Sequence, residues 1–523
     1  MQRRSVLTAL AATPLASARA QPAGRVLRFV PQADLAVADP HFSIAFVTRN
    51  HAHLVYDFLY AMDAEGRIHP QMAAGHTAEE GARLWTITLR EGLRFHDGEP
   101  VLARDVVASL RRWASRNTVA IGVFAELDSM EAPDDRTIRI RFRRPFPLLP
   151  ELLGRPLTFP AAIMPERLAR TPGTEQVSEI VGSGPYRWVA AERMAGQRAV
   201  YARFDAYRPR AEAPSGTAGG KIAHFDRVEW LTMPDGATAA AALQAGEIDW
   251  WEQPVADHLP RLRGRPNIGV ETLDPLGFMA VMRFNHLQPP FDNPAVRRAL
   301  LGAFNQTDMM TAVVGTEPAL RRDDVGFFHP SSPLATRAGL EALTPRPAAD
   351  IRAALAAAGY NGEPVRLLAP ADLHAINVMS QVAADVLRRA GINLEYAALD
   401  WGAAVTRLGN RGPLAQGGWS ATCNFTSGLF TMDPLAHGFL RGQGQTAVFG
   451  WPNSPEIEAL RQQWMEATDA AERTRLGEAL QRQALRDVPY IPLGGFAVPA
   501  AYRRNLTDMV RASVPMFTGV RRA

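Results

Sequence analysis

Three histidines lie close together near the amino end, His41, His51 and His53. Imidazole is a common metal ligand, so with His437 they permit a metal or metal-chelate site. Their spacing matches no zinc motif, and satisfied core or surface histidines account for them more simply. Three acidic pairs, Glu79-Glu80, Asp134-Asp135 and Asp323-Asp324, carry the charge that general acid–base work needs. Adjacent acids seldom converge on one substrate, and turns or solvated faces explain these better. Gly182-Ser183-Gly184 lacks the frame of a nucleophile elbow, and Gly442-Gln443-Gly444 lacks the third glycine of a dinucleotide fingerprint. There is no His-Glu-x-x-His, no Cys-x-x-Cys and no phosphate-binding loop. The single cysteine, Cys423, cannot close an intrachain disulfide and reads as a buried, inert thiol. These residues argue against an enzyme and call for no cofactor and no metal.

The elements that must position any site are legible in the periodicity. In 84–90, Trp85, Ile87 and Leu89 alternate with Thr86, Thr88 and Arg90, which predicts a half-buried strand. In 137–143, Ile138, Ile140 and Phe142 alternate with arginines after the turn signal Asp134-Asp135. Val106, Leu110 and Trp113 share one face of a helix over 103–115. Asn293 caps a helix whose first residue is Pro294 and whose stripe is Val296, Leu300 and Phe304. Val378, Val382 and Val386 share a face of 376–390, Gly391 stops that helix, and Ile392, Leu394 and Tyr396 begin a strand. Helix followed closely by strand indicates α/β units. The Pro/Gly-rich stretches 209–220 and 326–347 read as surface connections.

A chain of 523 residues exceeds one core, so two or three domains are expected. Net charge is only +4, Lys221 is the sole lysine, and the arginines are scattered among acids. No basic stripe of a nucleic-acid binder is present. Arg3-Arg4, the short apolar run Val6–Ala12 and the small-residue exit Ala18-Arg19-Ala20 predict a secretory signal cleaved after Ala20. Arg3-Arg4-Ser5-Val6-Leu7 is similar to the twin-arginine export motif, with an ordinary Sec signal as the alternative. No later apolar run reads as transmembrane, so the expected mature protein is soluble and periplasmic.

From residue 54 onward an ordered set of motifs appears. Leu54-Val-Tyr-Asp-Phe-Leu59 and Asp63-Ala-Glu-Gly-Arg-Ile68 come first. Trp85–Pro100 follows, then Asp105-Val-Val-Ala-Ser-Leu110, Gly182-Ser-Gly-Pro-Tyr186 and Leu243-Gln-Ala-Gly-Glu-Ile-Asp249. Phe284-Asn285, Pro290–Ala299, Asp433-Pro434 and Val488-Pro-Tyr-Ile-Pro-Leu493 complete it. The set resembles the family 5 extracellular solute-binding proteins, the peptide/nickel/opine class, over nearly the whole mature chain. Its most recognisable residues are structural: Gly92 and Asp97-Gly98 suit turns, and Asp105 suits a first helical turn.

The resemblance implies an α/β, two-lobed periplasmic-binding-protein fold with a hinge and an extra interposed domain, type II and cluster C-like. Domain I is expected at 25–56, 181–275 and 487–523, domain II at 57–180 and domain III at 276–486. It implies a monomeric substrate-binding component of an ABC importer, closing domains I and III on a peptide-like or other small polar solute. Its partners are that ligand and an inner-membrane permease; delivery of a metal chelate or action with a chemoreceptor shares the same fold. Trp401 and Trp419 match a pair of ligand-sandwiching tryptophans, although core packing explains such residues too. Where peptide binders carry an aspartate for the ligand's amine, Thr422 stands here, or Phe430 in a second alignment. Gln416 stands where an arginine for the carboxylate is expected. Thr422 and Asn424, with Thr426 and Ser427, offer neutral donors and acceptors that suit a weakly charged or modified ligand. Phe425, Asn285 and Phe496 complete the candidate contacts.

Overall fold

Alternation of apolar and polar residues becomes strand where it was expected. A computed structural model describes residues 26–523, so the export signal and the cleavage after Ala20 lie outside the described residues. Leu84–Leu89 and Thr137–Phe142 pair antiparallel, with Trp85 opposite Ile140 and Ile87 opposite Ile138 on the buried face. With Ala73–Glu79 and Leu127–Glu131 they form a four-stranded sheet. The helix Ala103–Ala114 buries Val106, Leu110 and Trp113 against it. Asp105 closes that helix's first turn by accepting the Leu102 N–H at 2.8 Å, and it also accepts the Glu166 N–H at 2.7 Å. Gly92 and Gly98 both take positive φ in the turns before it.

Two larger sheets make the lobes. The first has seven strands in the order Ile268–Glu271, Ala500–Arg503, Trp250–Trp251, Val26–Val30, Arg227–Leu231, Arg198–Arg203, Tyr186–Trp188. Val26–Val30 runs parallel to both its neighbours. Phe29, Trp230, Trp250 and Phe517 pack edge and face beneath it at 4.9–5.9 Å. The second has six strands in the order Arg321–Arg322, Tyr490–Phe496, Phe278–Phe284, Ala421–Ser427, Val365–Pro370, Leu394–Leu399.

Tyr490–Phe496 joins the second sheet. It pairs with Phe278–Phe284 through six residue pairs, so it lies in the second sheet and not in the first. The chain therefore crosses between the large sheets twice, at 272–277 and at 497–499. Two short crossing segments of this kind can serve as a hinge.

Helix expectations met smaller corrections. Pro294–Ala299 is capped by Asn293, whose Oδ1 accepts the Ala295 N–H, but it ends before Leu300 and Phe304, which are buried all the same. His374–Arg389 buries Ile376, Met379, Ala383 and Leu387, so the expected valines flank the buried face and do not centre it.

The Gly182-Ser-Gly-Pro-Tyr186 motif has a steric cause. A Cβ on Gly182 would stand 2.0 Å from the Val55 carbonyl oxygen, and one on Gly184 2.7 Å from that of Leu54. The Gly184 N–H donates to Val55 O at 2.9 Å, so the two backbones cannot separate without losing that bond. Gly182→Ala is expected to cost about 1–3 kcal/mol, read as a lowered urea midpoint with unchanged slope. An unaltered midpoint would show that this contact is not a constraint.

Candidate functional site

Phe46 and Arg49 are three apart on the helix Phe46–Val55, so they share one face, and that face meets the hinge. The pocket there has a volume of about 60 Å³. Gln32, Trp250 and Glu252 close it from the first sheet, and Phe278 and Ser427 from the second. Leu273, Asp274 and Gly277 of one crossing segment and Val498 of the other complete the wall with Val510 and residues 512–515. Phe46 meets Phe278 across the lobes at 6.1 Å between ring centroids. Behind Phe278 stand Phe425 at 5.0 Å and Phe496 at 5.3 Å, themselves 5.5 Å apart. This aromatic cluster bridges both lobes.

Three charged groups line the pocket: Arg49, Glu252 and Asp274. The Arg49 guanidinium lies over the Phe46 ring at 4.8 Å and donates from Nε and Nη2 to Asn50 Oδ1 at 3.2 and 3.0 Å. Asn50 Nδ2 in turn donates to Glu252 Oε1 at 2.8 Å, and the Gln32 N–H donates to Glu252 Oε2 at 2.8 Å. Burial pushes the Glu252 carboxyl up to about 7, against the pull of those donors and of Arg49. Burial also lowers Arg49 to about 10, with Asp274 and Glu252 opposing. Asp274 is raised by burial too, although it accepts the Leu276 N–H and feels Arg49 and Arg322.

A second cavity of about 670 Å³ adjoins this pocket, sharing Ala512 and Ser513 as wall residues. Met62, Leu148, Leu276, Leu429, Met432 and Trp464 give it apolar walls. The Arg155–Asp433 ion pair spans it, joining the part around the four-stranded sheet to the second lobe. Its volume falls in the range of small-molecule sites.

The structure sorts the expected site residues. Phe425 and Phe496 come together in the aromatic cluster, and half-buried Asn424 stands next to Phe425, its Oδ1 accepting the Phe425 N–H at 2.8 Å. Trp419 is wholly buried among Leu368, Leu408 and Trp451, and its indole N–H is taken by Leu408 O at 3.1 Å. Thr422 is also buried, its hydroxyl turned to the Leu368 and Cys423 carbonyls. Asn285 is buried and braces the chain, donating to Trp419 O and accepting from the Leu287 N–H. Trp401 begins the helix Trp401–Leu408, half-buried and outside the pocket wall. Cys423 is buried and its thiol is pushed up to about 12, which keeps it protonated at neutral pH. His41, His51 and His53 are buried in separate surroundings, and among the described residues no group of His, Cys, Asp or Glu is placed to hold a metal. Sequence reasoning missed Phe46, Arg49, Glu252 and Phe278; the spacing of Phe46 and Arg49 was the one available signal.

Comparison with known proteins follows the same lines. The family described as bacterial extracellular solute-binding proteins, family 5 Middle, matches residues 67–438. A probable peptide ABC transporter periplasmic-binding protein of Sinorhizobium fredii is 34% identical over 506 residues, covering 94% of this chain and 92% of that protein. The glutathione-binding protein of Escherichia coli K12 is 26% identical over 484 residues, covering 90% and 88%. The solved structure of a periplasmic binding protein from A. tumefaciens R10 in complex with agropinic acid superposes with a TM-score of 0.78 at 20% identity, covering 95% of this chain and 99% of that one. That likeness shows the two-lobed α/β fold.

Proposed function

The chain belongs to the family 5 bacterial extracellular solute-binding proteins, and from that premise we propose that it captures a peptide-like ligand where its lobes meet. The observation that carries this reading is the hinge pocket. Aromatic groups of both lobes, both crossing segments and three charged side chains converge there, and a cavity of about 670 Å³ adjoins it. Ligand seated there touches both lobes at once, so its binding energy drives closure. Residues 26–56, 181–275 and 497–523 make one lobe, 276–496 the other, and 57–180 the interposed domain.

The protein works in the periplasm as the substrate-binding component of an ABC importer, a monomer passing its ligand to an inner-membrane permease. Cleavage after Ala20 releases it. The peptide reading is supported by the peptide-transport relative at 34% identity. Neutral Thr422 does not oppose it, because that side chain is buried away from the pocket.

Intact-mass spectrometry of protein isolated from its own periplasm, followed by denaturation, tests the ligand class. A released peptide or peptide conjugate at one per protein supports the reading. A released opine, sugar acid or metal chelate overturns it.

A further inference from the structure

We propose that the anion recognising the ligand's amine sits on the first lobe, where Glu252, backed by Asp274 in the hinge, receives a protonated amino group. The inference rests on the peptide reading above and names the chemistry of its ligand's end. Glu252 is only 9% exposed, yet it lines the pocket. Both its oxygens are held by neutral donors, Asn50 Nδ2 and the Gln32 N–H, each at 2.8 Å. No arginine, lysine or histidine nitrogen reaches within 4.0 Å of it among the described residues. Each carboxylate oxygen keeps a further lone pair for a donor. A buried carboxylate held only by neutral groups is a costly arrangement unless a cation completes it.

Arg49 does not fill that role. Its guanidinium is spent on Asn50 and on the Phe46 ring, and it is one positive group against two carboxylates in the same wall. Arg322, outside the wall, acts on Asp274, so Glu252 is the carboxylate left without a cation of its own. The pocket's volume of about 60 Å³ suits an ammonium head and not a whole ligand, whose body then lies in the adjoining cavity. Phe46 and Phe278 line the same wall, and a ring face there attracts a cation, as the Phe46 ring does for Arg49. Trp250 points to a ligand independently: it is 2% exposed, lines the pocket, and its indole N–H has no hydrogen-bond partner. A carbonyl next to the bound amine would satisfy it. The second lobe contributes no charge to this wall, only Gly277, Phe278 and Ser427.

The test uses the full mature protein and two probes, a pool of tripeptides with free amino ends and the same pool N-acetylated. By calorimetry the wild-type protein is expected to bind the free pool about ten- to a hundred-fold more tightly. Glu252→Gln should bring the two pools to about equal affinity, and Asp274→Asn should reduce the preference. Affinity for the free pool should rise as pH climbs to about 7, while Glu252 ionises, and fall above about 8 as the α-amine loses its proton. Arg49, Asp274 and, beyond Asp274, Arg322 are the other charged groups around Glu252. Equal binding of the two pools by wild type overturns the inference, as does a preference that survives in both variants. Binding of neither pool overturns the peptide reading itself. The comparison on wild type keeps the test open even where Glu252→Gln lowers stability.

Discussion

Arg112→Ala is expected to lower the stability of the protein by about 3–5 kcal/mol. Arg112 lies in the helix Ala103–Ala114 and grips Asp39 with both terminal nitrogens, Nη1 to Oδ1 at 3.1 Å and Nη2 to Oδ2 at 2.7 Å. Both side chains are 1% exposed. The same guanidinium donates to the Thr171 and Glu175 carbonyls, and Asp39 also accepts the His41 and Val177 N–H groups. One residue thus ties the amino-terminal segment of the first lobe to the interposed domain. Removing it strands a buried carboxylate, and that desolvated charge sets the size of the effect. Lysine is a poor replacement, because one ammonium cannot give two parallel bonds. Equilibrium urea unfolding reads the result; a loss below about 1 kcal/mol would contradict the expectation. The chain's only lysine makes a comparable pair, Lys221 Nζ to Asp57 Oδ1 at 2.8 Å, again with both side chains 1% exposed.

The second large effect is acid lability. Burial holds His41, His51 and His437 down at about 3 and His96 and His329 at about 4, with His53 and His286 well below the ordinary value. At His53 burial, Lys221 and Arg49 all oppose a proton, and at His41 burial and Arg112 outweigh the pull of Asp39. The unfolded chain protonates its histidines near 6.5. Below that pH unfolding takes up protons that the native state refuses. The stabilisation is whole above 6.5 and is lost as pH falls toward the folded values, by about 1.4 kcal/mol per pH unit for each histidine that stays neutral. Glu252 runs the other way, because its raised carboxyl takes a proton in the native state first, and it offsets one histidine. Stability is therefore expected to fall by several kcal/mol between pH 6.5 and 5.5. Urea midpoints that stay level from pH 7.5 to 5.5 would contradict this.

Strands and helices were legible because period decides them. Trp85, Ile87 and Leu89 alternate, and all three are buried. The helix over 103–115 closed within one residue of its expected end. The sheet that takes up Tyr490–Phe496 was not legible for a physical reason: the strand is buried at every position, so its composition says strand without saying which sheet it joins. Trp419 was ambiguous in the sequence because a tryptophan with a partnered indole N–H packs in a core as readily as in a site. Beyond Phe46 and Arg49, three apart on one helix, the pocket was invisible by spacing. Phe46, Glu252, Phe278 and Phe425 come from distant stretches, and only the two crossings between the sheets bring them together.

Calorimetric titration of the free-amine tripeptide pool into wild type, Phe278→Ala and Trp401→Ala tests the central claim most directly. The hinge pocket as ligand site predicts binding by wild type, about ten-fold weaker binding by Phe278→Ala, which opens the aromatic bridge between the lobes, and unchanged binding by Trp401→Ala. Wild-type affinity retained in Phe278→Ala but lost in Trp401→Ala would move the ligand away from the hinge and contradict the account.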